Sequence, residues 1–519
     1  MIEKYLNNRF IVIYVIPFVI GASATLSFQP YNLVFINFLI FPLFFYLTIF
    51  INKKSKSVYR KKPYKKNLFI FGLSFGFGFY LSNISWIVNS LTFDENFKIL
   101  IPFALILIPL FLSLFMALTI LLIGPHLSLS FSSIALFTAG LAFSDYLRSK
   151  LFTGFPWNLW AYSTSTINEF LQILNNIGLY SYNLLIITLF TLPAIIFLRA
   201  SKFKKLSIFL ISIFFIFALL IFGNYEINKN KKKVESIEDK IYVKIVSPNF
   251  DLKYGLSVKQ IEERFKKLIK YSNPIKDKET LFIWPEGVFS GYSYDEIFIF
   301  KDIIFNNFSN KHLIIFGVNK LDKKTGKYFN SMLVVNKNLE IVQRYDKTRL
   351  VPFGEFLPFE NFLNQFGFKK ITEGYGSFLK GKKNENILID KINILPMICY
   401  EVIFTKLIQK SKLETNLIIN ISEDGWFGDT IGPDQHFVKS IFRAVENDTF
   451  LLRSTNKGVS AIINNKGKII KQLDRNEAGN IEFEVPLIKS NKVKNDLIFF
   501  ILLITYLAIF LVFRKKNEK

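Results

Sequence analysis

The chain has 519 residues, of which 51% are hydrophobic and 17% aromatic, and its mean hydropathy is +0.30. It carries 65 Lys and Arg residues against 40 Asp and Glu residues, a formal net charge of +25. The apolar residues occur in runs of about 20, the length of a bilayer-spanning helix, which excludes an ordinary soluble enzyme. The single cysteine excludes an intrachain disulfide and a thiolate-rich metal cluster, and the three histidines leave little for a zinc site. We therefore expect no metal and no cofactor.

A series of apolar stretches predicts a multi-span α-helical membrane domain of eight transmembrane helices. Most of the stretches reach the roughly 17 to 25 residues that a bilayer helix needs. They are Phe10 to Thr25, Tyr31 to Ile51, Asn67 to Val88, Ile99 to Ile123, Leu127 to Tyr146, Phe170 to Leu198, Leu206 to Phe222 and Leu497 to Phe513.

The positions of basic residues orient these spans, because Lys and Arg concentrate in cytoplasmic loops. If the N-terminus is inside, the basic loops 52–66 and 199–205 and the C-terminal tail are inside as well. Segments 89–98 and 147–169, with few basic residues, then fall outside. Since this topology explains much of the positive charge, nucleic acid is not an expected partner.

The composition divides the chain into three predicted parts. Residues 1–223 hold spans one to seven, residues 224–496 form an extracytoplasmic soluble domain, and residues 497–519 hold the eighth span and a cytoplasmic tail. The basic run Lys229 to Lys233 is predicted to be a solvated linker.

The soluble part alternates strand-like and helix-like stretches, which indicates an α/β domain. Some neighbouring strands have no helix between them, so we expect a mixed sheet covered by helices. The predicted strands are Ile241 to Val246, Leu281 to Trp284, His312 to Val318, Met332 to Val335, Ile341 to Arg344, Ile392 to Ile398, Leu417 to Ile421 and Val459 to Ile463. The predicted helices are Val258 to Tyr271, Asp295 to Phe308 and Gln435 to Asn447.

Three chemically distinct side chains follow predicted strands. Glu286 comes after the strand that ends at Trp284, Lys347 after the strand that ends at Arg344, and Cys399 directly after Ile398. In open α/β sheets, reactive groups gather at the carboxyl ends of strands. Taken singly, each residue has a more ordinary interpretation: a buried core cysteine, a turn glutamate or a surface lysine. Together they form a nucleophile, a base and a cation able to stabilise an oxyanion. We expect the nearby ammonium to lower the pKa of the thiol.

At this point the sequence resembles the nitrilase superfamily, whose members use a Glu-Lys-Cys triad in that chain order. More narrowly, it resembles the bacterial apolipoprotein N-acyltransferase family over essentially its whole length. The resemblance implies an α/β nitrilase-like αββα sandwich inserted between the seventh and eighth spans. The matching phrases are Trp284-Pro285-Glu286, Pro352-Phe353-Gly354-Glu355, Cys399-Tyr400-Glu401, Trp426-Phe427-Gly428-Asp429, Leu452-Arg453-Ser454-Thr455-Asn456 and Gly154-Phe155-Pro156-Trp157.

The resemblance also implies a role for each matching residue. Glu286 would be the general base, Lys347 the cation that stabilises the intermediate, and Cys399 the nucleophile. Supporting positions are Glu355, Tyr400, Glu401 and Asn330, and the aromatic residues Phe155, Trp157 and Trp160 are expected either to line the substrate entrance or to form an interfacial belt. His436 is expected to be a packing residue. Glu423 stands where the resemblance leads us to expect Asn.

The implied reaction moves a fatty acyl chain from a membrane phospholipid to the α-amino group of an S-diacylglyceryl cysteine at the start of an apolipoprotein. A thioester on Cys399 would be the intermediate of a ping-pong reaction. The expected partners are therefore the phospholipid donor, the apolipoprotein acceptor and the lipid bilayer. The expected location is the bacterial inner membrane, with the catalytic domain on the periplasmic side and both termini in the cytoplasm.

Two rival interpretations stay open at this stage. A membrane-tethered nitrilase-type amidase would use the same triad with water in place of the amine. A non-enzymatic transporter or scaffold would have an external domain that is catalytically inactive. The resemblance favours transfer because it extends into the spans and the 147–169 loop. Asp145 and Arg148, the charged residues at one predicted helix end, are expected simply to pair.

Overall fold

A computed structural model describes residues 8–58, 64–358, 360, 365, 376–382, 385–405, 407, 414–490 and 496–517. It divides the chain into two compact units. The helical unit comprises Met1–Val88, Lys98–Tyr225 and Asn495–Lys519, and the α/β unit comprises Asn89–Phe97 and Glu226–Lys494. The predicted outer segment 89–98 is thus largely grouped with the α/β unit. The basic residues of the predicted loop at 59–63 lie outside the described residues.

The helical unit is built from long apolar helices. Its α-helices are Ile16–Ser23, Asn37–Val58, Tyr64–Ile84, Ile101–Ile123, Phe131–Lys150, Asn168–Leu171, Leu174–Ile177, Leu179–Thr191, Lys202–Glu235 and Leu497–Asn517, the ninth of which runs past the boundary into the α/β unit. Many apolar side chains on these helices are exposed, which in water would be unfavourable and in a bilayer is expected. The chain is therefore a membrane protein.

Six helical segments among the described residues are long and apolar enough to cross a membrane. They are Val34–Lys56, Tyr64–Thr92, Glu95–His126, Leu179–Phe197, Lys202–Glu235 and Leu497–Arg514. The first predicted span corresponds to a shorter apolar segment, Ile11–Ser27. The fifth corresponds to Phe131–Lys150, which is rich in small and polar residues and contains a buried ion pair of 2.9 Å between Arg148 and Asp145. That pairing confirms the expectation for these two charges, whereas the count of eight spans stays a prediction.

Two predicted boundaries in this half of the chain are wrong. The predicted span Phe170 to Leu198 contains the apolar segment Leu179–Phe197 but starts too early, because Gly178, with φ of 78°, separates Leu174–Ile177 from Leu179–Thr191. The predicted linker Lys229 to Lys233 lies inside the helix Lys202–Glu235. Lysine is a good helix former and the segment contains no proline, so the helix continues past its apolar part.

The α/β unit contains two six-stranded sheets in its described part. The strands are β1 (Lys240–Ser247), β2 (Thr280–Ile283), β3 (His312–Leu321), β4 (Tyr328–Val335), β5 (Ile341–Asp346), β6 (Ile387–Ile389), β7 (Ile392–Ile398), β8 (Leu417–Glu423), β9 (Phe450–Asn456), β10 (Ser460–Ile463), β11 (Ile469–Leu473) and β12 (Gly479–Pro486). The order is β12-β1-β2-β3-β4-β5 in one sheet and β11-β10-β9-β8-β7-β6 in the other. In each sheet the three central strands, β1 to β3 and β7 to β9, run parallel to one another and the outer strands pair antiparallel.

The two sheets pack face to face around one apolar core. That core joins Ile245 and Ile283 of the first sheet to Ile398 and Ile419 of the second. The other face of the first sheet is covered by the helices Val258–Ser272, Tyr294–Ile297 and Lys301–Asn307, and the second sheet is contacted by the helix Gly432–Asn447. The layers are therefore helix, sheet, sheet and helix, which confirms the αββα sandwich that the resemblance implies. The expected mixture of parallel and antiparallel pairing is confirmed, but it occurs in two sheets, and four of their strands were not predicted.

The unrecognised strands share weak sequence signals. β6 has only three residues, β11 and β12 carry charged side chains at exposed positions, and β9 ends in the polar run Arg453 to Asn456. All seven residues of β9 are nevertheless buried. A buried polar strand gives no apolar periodicity, so hydropathy alone does not identify it.

Candidate active site

Glu286, Lys347 and Cys399 each follow the end of a strand. Glu286 comes three residues after β2, Lys347 directly after β5, and Cys399 directly after β7, where it begins the short 3-10 helix Cys399–Ile403. The first two belong to one sheet and the third to the other. The ammonium of Lys347 lies 3.5 Å from Oε1 of Glu286, and the charges of both side chains act on the thiol of Cys399.

An amide side chain joins the two carboxylates on the first sheet. Asn330, in β4, donates one hydrogen bond to Oε1 of Glu286 and one to Oε1 of Glu355, each of 2.7 Å. The ammonium of Lys347 lies 2.8 Å from Oε1 of Glu355 and 3.5 Å from Oε1 of Glu286. The two hydrogens of one amide group and one ammonium thus hold both carboxylates at fixed positions.

The Lys347 side chain is 1% exposed, so its charge must be balanced by neighbours. Burial by itself would lower the pKa of Lys347, but the carboxylates of Glu286 and Glu355 outweigh it and raise the pKa above its ordinary value. The ammonium is therefore charged at neutral pH. A charged, desolvated cation is suited to stabilise an oxyanion.

Glycine allows the backbone of Glu286 to approach the neighbouring strand. A Cβ on Gly317 in β3 would lie 2.8 Å from Cα of Glu286, closer than side chains pack. Oε2 of Glu286 accepts a hydrogen bond of 3.2 Å from the backbone N–H of Glu423. The position of the carboxylate is thus fixed from both sheets.

Cys399 has an unusual backbone conformation, with φ of 47°. A residue other than glycine pays a conformational cost there, and such residues cluster at functional sites. Burial raises the pKa of the thiol, as does the charge of Glu286, while Lys347 and a hydrogen bond with Ser422 act in the opposite direction. The Lys347 ammonium lowers the pKa of the thiol as expected, but desolvation outweighs it and the net shift is upward. The thiol is therefore protonated at rest and needs a base to become nucleophilic.

Glu401 ties the cysteine strand to the lysine segment. Its Oε2 accepts a hydrogen bond of 2.9 Å from the backbone N–H of Ile398. Its Oε1 accepts from the hydroxyl of Tyr345 at 2.8 Å, from N–H and Oγ1–H of Thr348 at 2.8 and 2.9 Å, and from N–H of Arg349 at 3.1 Å. This carboxylate is fully buried and is a positioning group, whereas Tyr400 stacks edge-on against Phe404 at 5.1 Å.

A cavity of about 110 Å³ opens beside Glu286. Its walls include Glu286, Asn330 and Glu355, together with the aromatic side chains of Tyr254 and Trp426. It combines convergent polar groups with apolar surface, as substrate sites commonly do. Within the described ranges, no group of three or more His, Cys, Asp or Glu side chains is arranged to hold a metal ion.

Sequence reasoning missed a buried charge network behind the end of β8. Asp424 lies 2.9 Å from Nδ1 of His436 and 2.8 Å from Nη2 of Arg453, and all three side chains are fully buried. Burial would raise the pKa of Asp424, but Arg453 and His436 lower it to about 2. The network fixes the turn that follows Glu423. The motifs that contain Trp426 and Arg453 are present in the sequence. No local pattern, however, indicates that the side chains near them contact one another in the fold.

The three aromatic residues predicted at the entrance lie in the helical unit. Trp157 and Trp160 are 1% and 2% exposed, and Phe155 is half-buried. Trp157 packs against Trp86 at 4.6 Å, and Trp160 against Phe79 at the same centroid distance. This packing is typical of core aromatic residues, so a role at the entrance stays a prediction.

The fold and the residues around the cavity define a class of protein. Residues 254–494 match the family model described as "Carbon-nitrogen hydrolase", so the α/β unit is a carbon-nitrogen hydrolase domain. Residues 20–192 match the model described as "Apolipoprotein N-acyltransferase N-terminal domain". Among solved structures, the chain is similar to Nit3 of Saccharomyces cerevisiae, a member of the nitrilase superfamily, at 17% identity and a TM-score of 0.34 over 48% of this chain and 91% of that chain.

Relatives extend the similarity over both units. The chain is 30% identical over 483 residues to "Apolipoprotein N-acyltransferase" of Brucella suis biovar 1, which covers 90% of this chain and 89% of the relative. It is 31% identical over 482 residues to the protein of that name in Rhizobium leguminosarum bv. trifolii, over 90% and 88% of the two chains. The chain belongs to the apolipoprotein N-acyltransferase family.

Proposed function

We propose that this chain is an acyltransferase that moves a fatty acyl chain from a membrane phospholipid to the α-amino group of an apolipoprotein whose N-terminal cysteine carries an S-diacylglyceryl group. The observation that carries the proposal is the convergence of Glu286, Lys347 and Cys399 in a chain that matches this family over both units. Membership in the family supports the substrate classes, and the geometry supports the roles proposed for these residues.

In the first half-reaction, Glu286 takes the proton of the Cys399 thiol, and the sulfur attacks the ester carbonyl of the phospholipid. The raised pKa of the thiol makes this base necessary. The Lys347 ammonium stabilises the oxyanion of the tetrahedral intermediate. The C–O bond then breaks, Glu286 returns the proton to the departing lysophospholipid, and a thioester remains on Cys399.

In the second half-reaction, the neutral α-amine attacks the thioester carbonyl. Glu286 takes a proton from the nitrogen as the C–N bond forms, and gives it to the sulfur as the C–S bond breaks. The product is an N-acylated lipoprotein and a free thiol. Because a thioester is reactive, exclusion of water favours transfer to the amine over hydrolysis.

The match of residues 20–192 supports transfer rather than hydrolysis of a small amide. A membrane anchor alone would need one helix, whereas similarity through most of the helical unit suggests that both lipid substrates are handled there. We further propose the orientation that the basic residues predict, with both termini in the cytoplasm, eight spans and the α/β unit on the periplasmic side of the inner membrane. Cysteines introduced one at a time into the Cys399→Ser background would test this orientation with a thiol reagent that does not cross the membrane.

Intact-mass analysis of the full-length protein in nanodiscs tests the proposed function. Incubation with phospholipid alone should add the mass of one fatty acyl group, which hydroxylamine should remove because the bond is a thioester. Since Cys399 is the only cysteine in the chain, the Cys399→Ser variant has no thiol on which a thioester can form. A wild-type protein that gains no acyl mass but hydrolyses small amides would overturn the proposal in favour of an amidase.

A further inference from the structure

A second carboxylate, that of Glu423, lies beside the candidate catalytic base. Glu423 ends β8, lines the same cavity as Glu286 and is 2% exposed. Its backbone N–H holds Oε2 of Glu286, and its own Oε2 lies 3.0 Å from the point where a Cβ on Gly287 would sit. The two acidic residues therefore line one small cavity. The mechanism described so far uses only one of them.

Both oxygens of Glu423 accept hydrogen bonds from fixed donors. Oε1 accepts from the backbone N–H of Gly425 at 2.9 Å, and Oε2 accepts from the amide of Asn456 at 2.8 Å. Each oxygen keeps a second lone pair, so the carboxylate is held in place and still has capacity to accept one more donor. A positioned acceptor that lines a substrate cavity is a candidate contact for the substrate.

Charges from several elements face this carboxylate. Glu286 lines the same cavity, Asp424 follows Glu423 in the chain, and Arg264 acts on Glu423 from the helix Val258–Ser272. Asp424 is held by its own partners, and the nearby Lys457 is paired with Asp251 at 3.1 Å. Burial raises the pKa of Glu423 to about 8, in the same direction as the charges of Glu286 and Asp424.

The second half-reaction needs two proton acceptors. The acceptor substrate arrives mainly as an ammonium group, because the ordinary pKa of an α-amino group is about 7.7 to 8.0. An ammonium nitrogen carries three protons and the amide product carries one. Glu286 takes one of the two that leave and delivers it to the sulfur. The other must leave before the nitrogen has a lone pair with which to attack.

We propose that Glu423 binds the α-ammonium group of the acceptor and takes its first proton, which leaves the neutral amine beside the thioester on Cys399. This inference rests on the proposed function. The ammonium loses the proton to the Glu423 carboxylate, the free amine then attacks with Glu286 as base, and the protonated Glu423 carboxyl later releases its proton to solvent. No further reactant is needed.

The inference predicts the pH profile of the second half-reaction. Binding an ammonium to a carboxylate requires the substrate protonated and Glu423 ionised, so the second-order rate of thioester discharge should be bell-shaped. With both pKa values near 8, this rate should fall about threefold from pH 8 to pH 9. In Glu423→Gln only the neutral amine is productive, and the rate should rise about twofold over the same interval.

The experiment discharges pre-formed acyl-enzyme in nanodiscs with a synthetic peptide that begins with S-diacylglyceryl cysteine, in single turnovers from pH 6 to pH 10. Acyl-enzyme decay without peptide is subtracted at each pH. The yield of acyl-enzyme from phospholipid checks that Glu423→Gln, and a second variant, Glu423→Asn, retain a working site.

The outcomes separate this inference from the proposed function. A wild-type rate that rises through pH 9 in parallel with both variants would overturn the role of Glu423 and leave acyl transfer intact. The wild-type profile alone decides the matter if neither variant acylates, because a profile without an alkaline fall excludes the ammonium-carboxylate pair. Failure of the wild-type thioester to form, or to be discharged by the peptide, would overturn the proposed function itself.

Discussion

Replacing Lys347 by methionine should separate the structural and chemical uses of this buried cation. Methionine keeps most of the volume of the side chain and removes its charge. The change leaves the carboxylates of Glu355 and Glu286 without the ammonium that now lies 2.8 and 3.5 Å from them. Asn330 still donates a hydrogen bond to each, but an amide does not neutralise two charges.

The size of the effect follows from the burial of the cluster. At an effective dielectric constant of about 20, the two attractions amount to roughly 6 and 5 kcal/mol, and the desolvation of the ions offsets most of this. Removing one partner of a buried ion pair typically costs about 3 to 5 kcal/mol, which we expect for Lys347→Met. Loss of one donor to an oxyanion typically slows catalysis by about 10² to 10³, and we expect at least this decrease in the rate of acylation.

The double variant Lys347→Met/Glu355→Gln distinguishes the two effects. Neutralising Glu355 removes one of the stranded charges, so we expect about half of the lost stability to return. The recovery is incomplete because glutamine at position 355 has only one acceptor oxygen. That oxygen can still accept from Asn330, but the acceptor for the N–H of Val351 is lost. The rate of acylation should not recover, since the cation is still absent.

Hydrogen exchange of the β4 and β5 amides measures the local stability, which avoids treating a two-unit membrane protein as two-state. The rate at which acyl mass is gained from phospholipid measures the chemistry. If the double variant recovered acylation together with stability, Lys347 would be a structural residue, and its role as the oxyanion cation would be refuted.

Three further predictions concern the residues that hold the site. Glu401→Gln should slow acylation about tenfold, because an N–H of the amide then faces either the N–H of Ile398 or the other donors that the carboxylate accepts. Gly317→Ala should slow acylation roughly 10- to 100-fold, because the added Cβ displaces Cα of Glu286. Acylation kinetics measure this effect. Alkylation of Cys399 by iodoacetamide should keep accelerating above pH 9, because a thiol whose pKa is raised gains its thiolate only there.

Matched controls make these predictions specific. Glu340→Gln changes an exposed carboxylate of the same unit, and Gly479→Ala adds a Cβ at ordinary contact distance, 3.7 Å from Leu473. Both should acylate at the wild-type rate. A normal rate in Glu401→Gln or Gly317→Ala would contradict the positioning that we assign to these residues, and an alkylation rate that levels off below pH 8 would mean that the thiol is ionised at rest.

Local sequence patterns identified the parts of the fold in which one face is apolar. All eight predicted strands of the α/β unit lie in observed strands, apart from Trp284, the first residue after β2, and Val459, the residue before β10. They were recognised because their apolar residues face the core between the sheets or the covering helices. β9 was not predicted because it contains buried polar residues such as Arg453 and Asn456. Their burial depends on specific hydrogen-bond partners, which a hydropathy pattern does not reveal. The helix Lys202–Glu235 was predicted too short for a related reason. Its charged C-terminal residues were interpreted as a linker that follows the helix.

The candidate site, like the fold, could be predicted only in part from the sequence. Positions after strands, together with the family resemblance, predict Glu286, Lys347 and Cys399 from the sequence alone, because strand ends converge in α/β folds. The sequence did not predict the raised pKa of the thiol, since the depth of burial is a property of the packed sheets. It also gave no sign that the carboxylate of Glu423 lines the same cavity as that of Glu286.

The central claim is that an acyl group passes through Cys399 to an amine. The most direct measurement is a chase in which wild-type protein carrying an isotopically labelled acyl group on Cys399 is separated from phospholipid and mixed with the S-diacylglyceryl peptide. The account predicts that the label leaves the protein and appears on the peptide as a hydroxylamine-resistant amide. Label that leaves as free fatty acid at the same rate with and without peptide would contradict it.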